Sequence, residues 1–168
     1  GYPRNDILIN DNSPTKIREY KEKLGLPLDK KIILYAPTWR DNEYSEKVKY
    51  KFASKLDFYK AKEELSDEYI FIVKYHYLVS DKIDWTPYKG LVYTFEETKD
   101  IAWLYLVSDM LITDYSSVMF DYSILNRPML FFAYDLEDYK ENLRGFYFNF
   151  VNDIPGQISR DTDQLIKD

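Results

Sequence analysis

The chain has 168 residues, 45% of them hydrophobic, and 29 acidic against 23 basic side chains give it a formal net charge of -6. This composition suits one compact domain with an apolar core, and the acidic balance argues against nucleic acid or anionic lipid as a partner. Without cysteine or an apolar run of about 20 residues, the sequence excludes disulfides, cysteine–metal sites and transmembrane helices. Because it begins at Gly1 without an initiator methionine, the chain is expected to be a piece of a longer protein.

Short apolar runs alternate with helical patterns along the chain. Ser13 followed by Pro14 predicts the start of a first helix, and Gly25 predicts its end. A polar stretch, Arg40–Lys51, predicts a long exposed loop. Strands are predicted at Lys31–Ala36, Tyr69–Val73, Leu91–Tyr93, Met110–Thr113 and Met129–Phe132, and further helices at Ala53–Leu65, Asp100–Ser108 and Ser116–Leu125. This order predicts an α/β fold with a doubly wound parallel sheet covered on both faces.

A pair of hydroxyls follows the fourth predicted strand. Ser116 and Ser117 come directly after Asp114 and Tyr115, at the predicted start of a helix. A helix start presents unpaired backbone N–H groups and the positive end of the helix dipole, which together favour an anion such as phosphate. The alternative is that Asp114 or Ser116 only caps the helix, and the residues alone give both interpretations equal weight.

Other polar residues are predicted at the same edge, because open parallel sheets bind ligands beyond the carboxyl ends of their strands. His76, the single histidine, follows the second strand, where it could donate to a phosphate oxygen or protonate a leaving group. The alternative is a histidine with a local structural role. Arg40, Lys74 and Arg144 are candidates for local positive charge, and each could equally be a solvated surface residue.

Several common motifs are absent. Neither G-x-G-x-x-G nor G-x-x-x-x-G-K-[ST] occurs, and the chain has only five glycines, which argues against a dehydrogenase and a P-loop nucleotidase. Asp114 and Asp121 with one histidine are too few ligands to indicate a metal site. We therefore expect no metal and no cofactor.

Six short strings occur along the chain: Tyr35-Ala-Pro-Thr-Trp-Arg40, His76-Tyr-Leu-Val79, Leu104-Tyr-Leu-Val-Ser-Asp109, Ile112-Thr-Asp-Tyr-Ser-Ser117, Arg127-Pro128 and Arg144-Gly-Phe-Tyr147. In their order and approximate spacing, these strings resemble the CDP-glycerol glycerophosphotransferases of teichoic acid synthesis. The resemblance covers nearly the whole chain, from Gly1–Asp6, which looks like the crossing between two halves in that family, to Pro155-Gly156. Gln157 departs from the pattern, where the family often has a second proline.

The resemblance implies the C-terminal, donor-binding half of a two-lobed GT-B transferase, with residues 1–12 as an interlobe linker and residues 13–168 as one nucleotide-donor-binding domain. It implies that the CDP-glycerol pyrophosphate lies near Ser116, Ser117 and His76, with the cytidine toward Phe95–Thr98. His76 would hydrogen-bond the pyrophosphate and ease the departure of CMP, while Asp114 would orient the serine loop. The candidate donor-binding residues are Arg40, Lys74, Thr98, Ser116, Ser117 and Arg144.

The resemblance also implies partners and a place of action. A lipid-linked teichoic acid acceptor would be bound by the missing N-terminal lobe, so the full-length enzyme would work at the cytoplasmic face of the membrane. This chain itself is expected to be soluble and to release no CMP alone. Two alternatives stay open: a GT-B lobe that uses CDP-ribitol or a nucleotide sugar, and a non-catalytic nucleotide-binding or interaction module.

Overall fold

A six-stranded parallel sheet organises the computed structural model, which describes residues 2–38, 54–75, 84–95, 100–136 and 150–168. The strands are β1 (Lys31–Tyr35), β2 (Tyr69–Val73), β3 (Val92–Thr94), β4 (Met110–Thr113), β5 (Met129–Phe132) and β6 (Gln157–Ser159). The helices are α1 (Asp6–Asn10), α2 (Pro14–Lys23), α3 (Phe58–Leu65), α4 (Ile101–Val107), α5 (Val118–Tyr122), α6 (Phe150–Asp153) and α7 (Thr162–Lys167). Single 3-10 turns lie at Pro3–Asn5, Thr86–Tyr88 and Ser123–Leu125.

The strand order reverses between β1 and β4. Across the sheet the order is β3-β2-β1-β4-β5-β6, so the chain builds one half outward from β1 and the other outward from β4. The two strands are parallel and pair Ile33 with Met110 and Tyr35 with Ile112. In open α/β sheets, the carboxyl ends of the strands at such a reversal are where ligands bind. This reversal positions the candidate site.

Both faces of the sheet are buried, which explains why the strands read as nearly unbroken apolar runs. Ile32 and Leu34 of β1 pack on one face in a cluster that includes α2 and α4. Ile33 and Tyr35 pack on the other face with α3 and α7. The predicted doubly wound α/β fold is therefore confirmed.

The first predicted helix, α2, begins and ends as predicted, whereas the second, α3, ends at the predicted Leu65 but begins later than predicted. The Ser13 hydroxyl accepts a hydrogen bond from the Lys16 N–H at 3.4 Å, and Gly25 follows the helix with a φ of 67°. The prediction of a helix from Ala53 was wrong: α3 begins at Phe58, because the Asp57 carboxylate accepts from the N–H groups of the helix's second and third residues at 2.9 and 3.2 Å. Asp57 is a stronger start signal than the apolar pattern before it.

Strands β2, β4 and β5 have the predicted bounds, and β1 ends one residue earlier than predicted. The third strand is shifted by one residue, since its register with β2 pairs Phe71 with Val92 and Val73 with Thr94. The predicted helix at Ser116–Leu125 was too long. The α-helical part is α5. The 3-10 turn Ser123–Leu125 follows it and is terminated by Asn126, whose φ of 50° is left-handed. The predicted loop at Arg40–Lys51 lies outside the described residues.

Arg127 closes the carboxyl end of α4. Its Nη1 donates to the backbone oxygens of Tyr105 at 3.3 Å, Leu106 at 2.8 Å and Ser108, and its Nη2 donates to the Asn12 side chain at 2.8 Å. The last carbonyls of a helix have no partner within the helix and carry partial negative charge, so a guanidinium satisfies both requirements. The Arg127-Pro128 string therefore has a structural role.

Residues 4–8 pack against the rest of the domain. Leu8 of α1 is buried in the core, and Arg4 and Asn5 bind the Asp121 carboxylate of α5 at 3.0 and 2.7 Å. No helix was predicted in this segment from the sequence, whereas the structure has α1 there. Whether residues 1–12 cross between two lobes stays a prediction.

The sequence did not predict strand β6, although Gly156 directly precedes it. It pairs with β5, with Phe131 opposite Ile158. A Cβ on Gly156 would lie 2.0 Å from the Met129 carbonyl oxygen, closer than atoms can approach. The glycine therefore allows the chain to reach the edge of the sheet.

Gly156→Ala is expected to lower the free energy of unfolding by about 1–3 kcal/mol, because the new methyl group forces the backbone away from β5. Urea unfolding measures the change, and Gln157→Ala, an exposed neighbour on the same strand, is expected to cost about 0.5 kcal/mol or less. Equal midpoints for the two variants would contradict the close approach.

Candidate functional site

The candidate site lies where the strand order reverses, in the loops that follow β1 and β4. The Asp114 carboxylate, which is 1% exposed, accepts from the Thr38 backbone N–H at 2.9 Å on Oδ1 and 3.0 Å on Oδ2. The Thr38 hydroxyl donates to Oδ1 at 2.6 Å. We call these three hydrogen bonds the Thr38–Asp114 clamp. A buried carboxylate requires such donors, since leaving it unsatisfied would cost several kcal/mol.

A second contact joins the same two loops. The buried Thr113 hydroxyl donates to the Ala36 carbonyl oxygen at 2.7 Å, and the Ala36 N–H donates to the Ile112 carbonyl oxygen at 2.9 Å. The sheet ladder thus continues past the end of β1 and merges with side-chain contacts. The two loops are held together on successive residues.

The serine loop combines a cap with an exposed hydroxyl. The Ser116 hydroxyl accepts from the Val118 N–H at 3.4 Å, a long contact at the start of α5. Asp114 does not cap the helix, because its carboxylate is directed to Thr38. Ser117 is exposed and its side chain makes no capping hydrogen bond. Since α5 has only five residues, its dipole is weaker than that of the predicted ten-residue helix, and an anion here would depend mainly on N–H and hydroxyl donors.

Lys74 lies at the same edge of the sheet. Its backbone N–H donates to the Tyr35 carbonyl oxygen at 2.9 Å, so it continues the β1–β2 ladder, and its side chain is half-buried. Tyr75 packs edge-on against the Tyr35 ring at 5.8 Å and stacks on Trp85 at 6.3 Å. Burial raises the pKa of the Tyr35 phenol well above its ordinary value, so this ring stays neutral. These rings therefore form an uncharged aromatic cluster on the face of the sheet that carries α3 and α7.

Asp135, which sequence reasoning missed, lies three residues after the end of β5, in the loop that follows this strand. Its carboxylate accepts from the Tyr115 hydroxyl at 3.1 Å, and the Tyr115 ring packs on Phe150 at 5.1 Å. This contact links the serine loop to the next loop along the sheet edge. The signal that could have found it is the position of a carboxylate within three residues of the end of a buried strand.

Four predicted site residues, Arg40, His76, Thr98 and Arg144, lie outside the described residues, and their roles stay predictions. Phe95, next to the predicted cytidine region, is partly buried against the core. Of the predicted site residues, the structure brings Asp114 and Ser116 to the point of reversal, with Ser117 beside them and Lys74 on the adjoining strand end.

Metal ligands and membrane helices were searched only in the described ranges. There, no group of three or more histidine, aspartate or glutamate side chains is arranged to hold a metal ion. Asp121, considered as a ligand from the sequence, instead accepts from Arg4 and Asn5. Within the same ranges, no helix is both long and apolar enough to cross a bilayer.

Residues 1–168 match the family model described as CDP-Glycerol:Poly(glycerophosphate) glycerophosphotransferase. The chain belongs to this family. It is 51% identical over 167 residues to the teichoic acid poly(glycerol phosphate) polymerase of Bacillus subtilis strain 168, a match that covers 99% of the chain and 22% of the relative.

Other members of the glycerophosphotransferase family are also similar to this chain. The teichoic acid poly(ribitol-phosphate) polymerase of Bacillus spizizenii strain W23 is 42% identical over 170 residues, covering 99% of the chain and 27% of the relative. The solved structure of the wall teichoic acid polymerase TagF superposes with a TM-score of 0.92 at 47% identity, covering 99% of the chain and 41% of TagF. The chain thus spans less than half the length of these three proteins.

A distant structure shares only the fold. The ADP-heptose LPS heptosyltransferase II of E. coli superposes with a TM-score of 0.52 at 13% identity, covering 71% of the chain and 38% of that protein. With the TagF match, it supports the predicted Rossmann-like half of a GT-B fold.

We expect Asp114→Ala to lower the free energy of unfolding by roughly 2–3 kcal/mol, because the N–H and hydroxyl of Thr38 lose a charged acceptor. Asp114→Asn keeps one acceptor oxygen and should cost roughly 1 kcal/mol. Thermal or urea unfolding gives both values, and Asp67→Ala, at an exposed carboxylate, is the control. A cost for Asp114→Ala no greater than that of the control would show that the clamp does not stabilise the fold.

Proposed function

We propose that this chain is the donor-binding domain of an enzyme that transfers glycerol phosphate from CDP-glycerol to a growing poly(glycerol phosphate) teichoic acid chain and releases CMP. The observation that carries the proposal is the family match over residues 1–168. The polar clamp at the strand reversal supports it independently, since open α/β sheets bind nucleotide ligands at that point. We assign residues 13–168 to this domain and residues 1–12 to the crossing toward a second lobe.

The relatives favour glycerol over ribitol as the transferred group. Identity is 51% to a poly(glycerol phosphate) polymerase and 42% to a poly(ribitol-phosphate) polymerase over nearly the same length. Both classes share the family, so membership alone does not separate the two donors. The difference in identity favours CDP-glycerol.

In the proposed complex, Ser116 and Ser117 bind the pyrophosphate through their hydroxyls and nearby N–H groups. Asp114 holds this loop in place through Thr38 and does not contact the phosphates, because two anions at close range would repel. His76 hydrogen-bonds the pyrophosphate and assists the departure of CMP.

Further residues complete the proposed donor site. Arg40, Lys74 and Arg144 neutralise the charge of the pyrophosphate, and Thr98 lies beside the cytidine. Lys74 is at the carboxyl edge of the sheet, as this role requires. Phosphoryl transfer depends mainly on positioning and charge neutralisation, which hydroxyls, cations and an imidazole supply.

The proposed reaction is a displacement at phosphorus. A hydroxyl oxygen of the acceptor forms a bond to the glycerol-bearing phosphorus, and the bond from this phosphorus to the bridging oxygen breaks. The bridging oxygen leaves with CMP, and the hydroxyl proton passes to a base on the second lobe. The acceptor is a lipid-linked teichoic acid, so we place the full-length enzyme at the cytoplasmic face of the membrane.

Donor binding tests the proposal directly. Titration of the chain with CDP-glycerol, followed by amide chemical shifts, is expected to perturb Ser116, Ser117 and their neighbours, with no release of CMP. CDP-ribitol and a UDP-sugar should bind more weakly. Tighter binding of CDP-ribitol or of the UDP-sugar would reassign the donor, and binding of none of them would favour a non-catalytic module.

Ser117→Ala is expected to weaken CDP-glycerol binding about tenfold, since a hydrogen bond to a charged group contributes about 1.5–3 kcal/mol. The matched control is Ser123→Ala, an exposed serine beyond α5 whose hydroxyl donates to the Phe120 carbonyl oxygen at 2.7 Å. Calorimetry on both variants measures the affinities. Equal dissociation constants for wild type and Ser117→Ala would remove Ser117 from the site.

A further inference from the structure

Thr38 has no assigned role, yet it uses both of its donors on one buried carboxylate. Its N–H lies 2.9 and 3.0 Å from the two oxygens of Asp114, and its hydroxyl lies 2.6 Å from one of them. Thr38 belongs to the loop after β1, and Asp114 to the loop after β4. The contact therefore crosses the point where the strand order reverses.

These contacts restrict movement between the two loops. A single hydrogen bond leaves rotation about its axis, whereas donors from a backbone and from a side chain on the same carboxylate restrict both distance and orientation. The bonds are charge-assisted and Asp114 is 1% exposed, so water does not readily replace Thr38 as its partner. Opening the clamp would leave a carboxylate buried without these donors, which is costly.

The clamp lies close in sequence to the serine loop. Ser116 follows Asp114 by two residues. Two residues of extended chain reach at most about 7 Å, so anchoring Asp114 limits where this loop can place its hydroxyls. The Thr113 hydroxyl bound to the Ala36 carbonyl oxygen strengthens the anchor from the strand side.

We propose that Thr38 is a positioning residue that holds the loop after β1 against Asp114 and so sets the position of the Ser116 and Ser117 hydroxyls in the loop after β4. Its hydroxyl acts through the carboxylate and not by contact with the phosphates. The proposal deepens the donor-binding function above and rests on it for the nature of the ligand. The positional coupling between the loops does not depend on which ligand binds.

Two variants of Thr38 separate the hydroxyl from the shape of the side chain. Thr38→Val has a similar shape and keeps the backbone N–H, but loses the hydroxyl donor to Asp114. Thr38→Ser restores that donor. The matched control is Thr162→Val, because Thr162 is a buried threonine whose hydroxyl accepts from the Asp57 N–H at 3.1 Å, on the α3–α7 face.

The first measurement needs no ligand. Amide shifts of the unliganded chain are expected to change at Ser116, Ser117 and Val118 in Thr38→Val, to return toward wild type in Thr38→Ser, and to stay unchanged there in Thr162→Val. Shift changes confined to the loop after β1 would overturn the positional coupling. This arm decides the coupling even if the chain proves not to bind CDP-glycerol.

The second measurement uses steady-state kinetics of the full-length enzyme. Thr38→Val is expected to raise KM for CDP-glycerol about tenfold while KM for the acceptor changes less than twofold, and Thr38→Ser should stay within twofold of wild type. A merely structural role would lower the amount of active enzyme, and hence the apparent kcat, without changing KM for the donor. An unchanged donor KM in Thr38→Val, with a loss of thermal stability like that of Thr162→Val, would overturn the proposal.

If wild-type enzyme shows no activity with CDP-glycerol, the proposed function fails, and the amide shifts alone decide the role of Thr38.

Discussion

The buried carboxylate of Asp114 holds together two loops at the carboxyl edge of the sheet. It lies at the point where the strand order reverses, and it is satisfied by Thr38 from the neighbouring strand end. A carboxylate in this position requires donors, and Thr38 in the loop after β1 supplies two of them. The need to satisfy one charged group therefore determines how two loops lie relative to each other.

The loops along this edge form a chain of contacts that begins at the clamp. Tyr115, directly after Asp114, donates to Asp135 beyond β5, while the Lys74 N–H joins the end of β2 to Tyr35. Each contact uses a residue that follows a buried strand. The helices on the two faces support these strands from outside, so the polar edge rests on an apolar core. Such an edge can present donors to an anion without rearranging the fold.

Membership in the glycerophosphotransferase family gives this edge its chemical context. The chain spans less than half of the TagF structure that it matches at a TM-score of 0.92. In the function proposed above, this domain would supply positioning and charge neutralisation, and the acceptor and its base would come from another part of the enzyme. A rigid edge suits that proposal, because the acceptor must reach a phosphorus atom that is held in one place.

The sequence by itself determined the α/β class, the bounds of β2, β4 and β5, and the place of the serine loop, because unbroken apolar runs between helices suit only a covered parallel sheet. It did not reveal that Asp57 begins α3 or that β6 completes the sheet, since a local cap and a close approach at Gly156 outweigh the apolar pattern. Only the tertiary structure decided that Asp114 binds Thr38, 76 positions away, instead of capping α5. Hydrophobic periodicity predicts elements, but the partner of a buried polar group depends on which strand ends lie side by side.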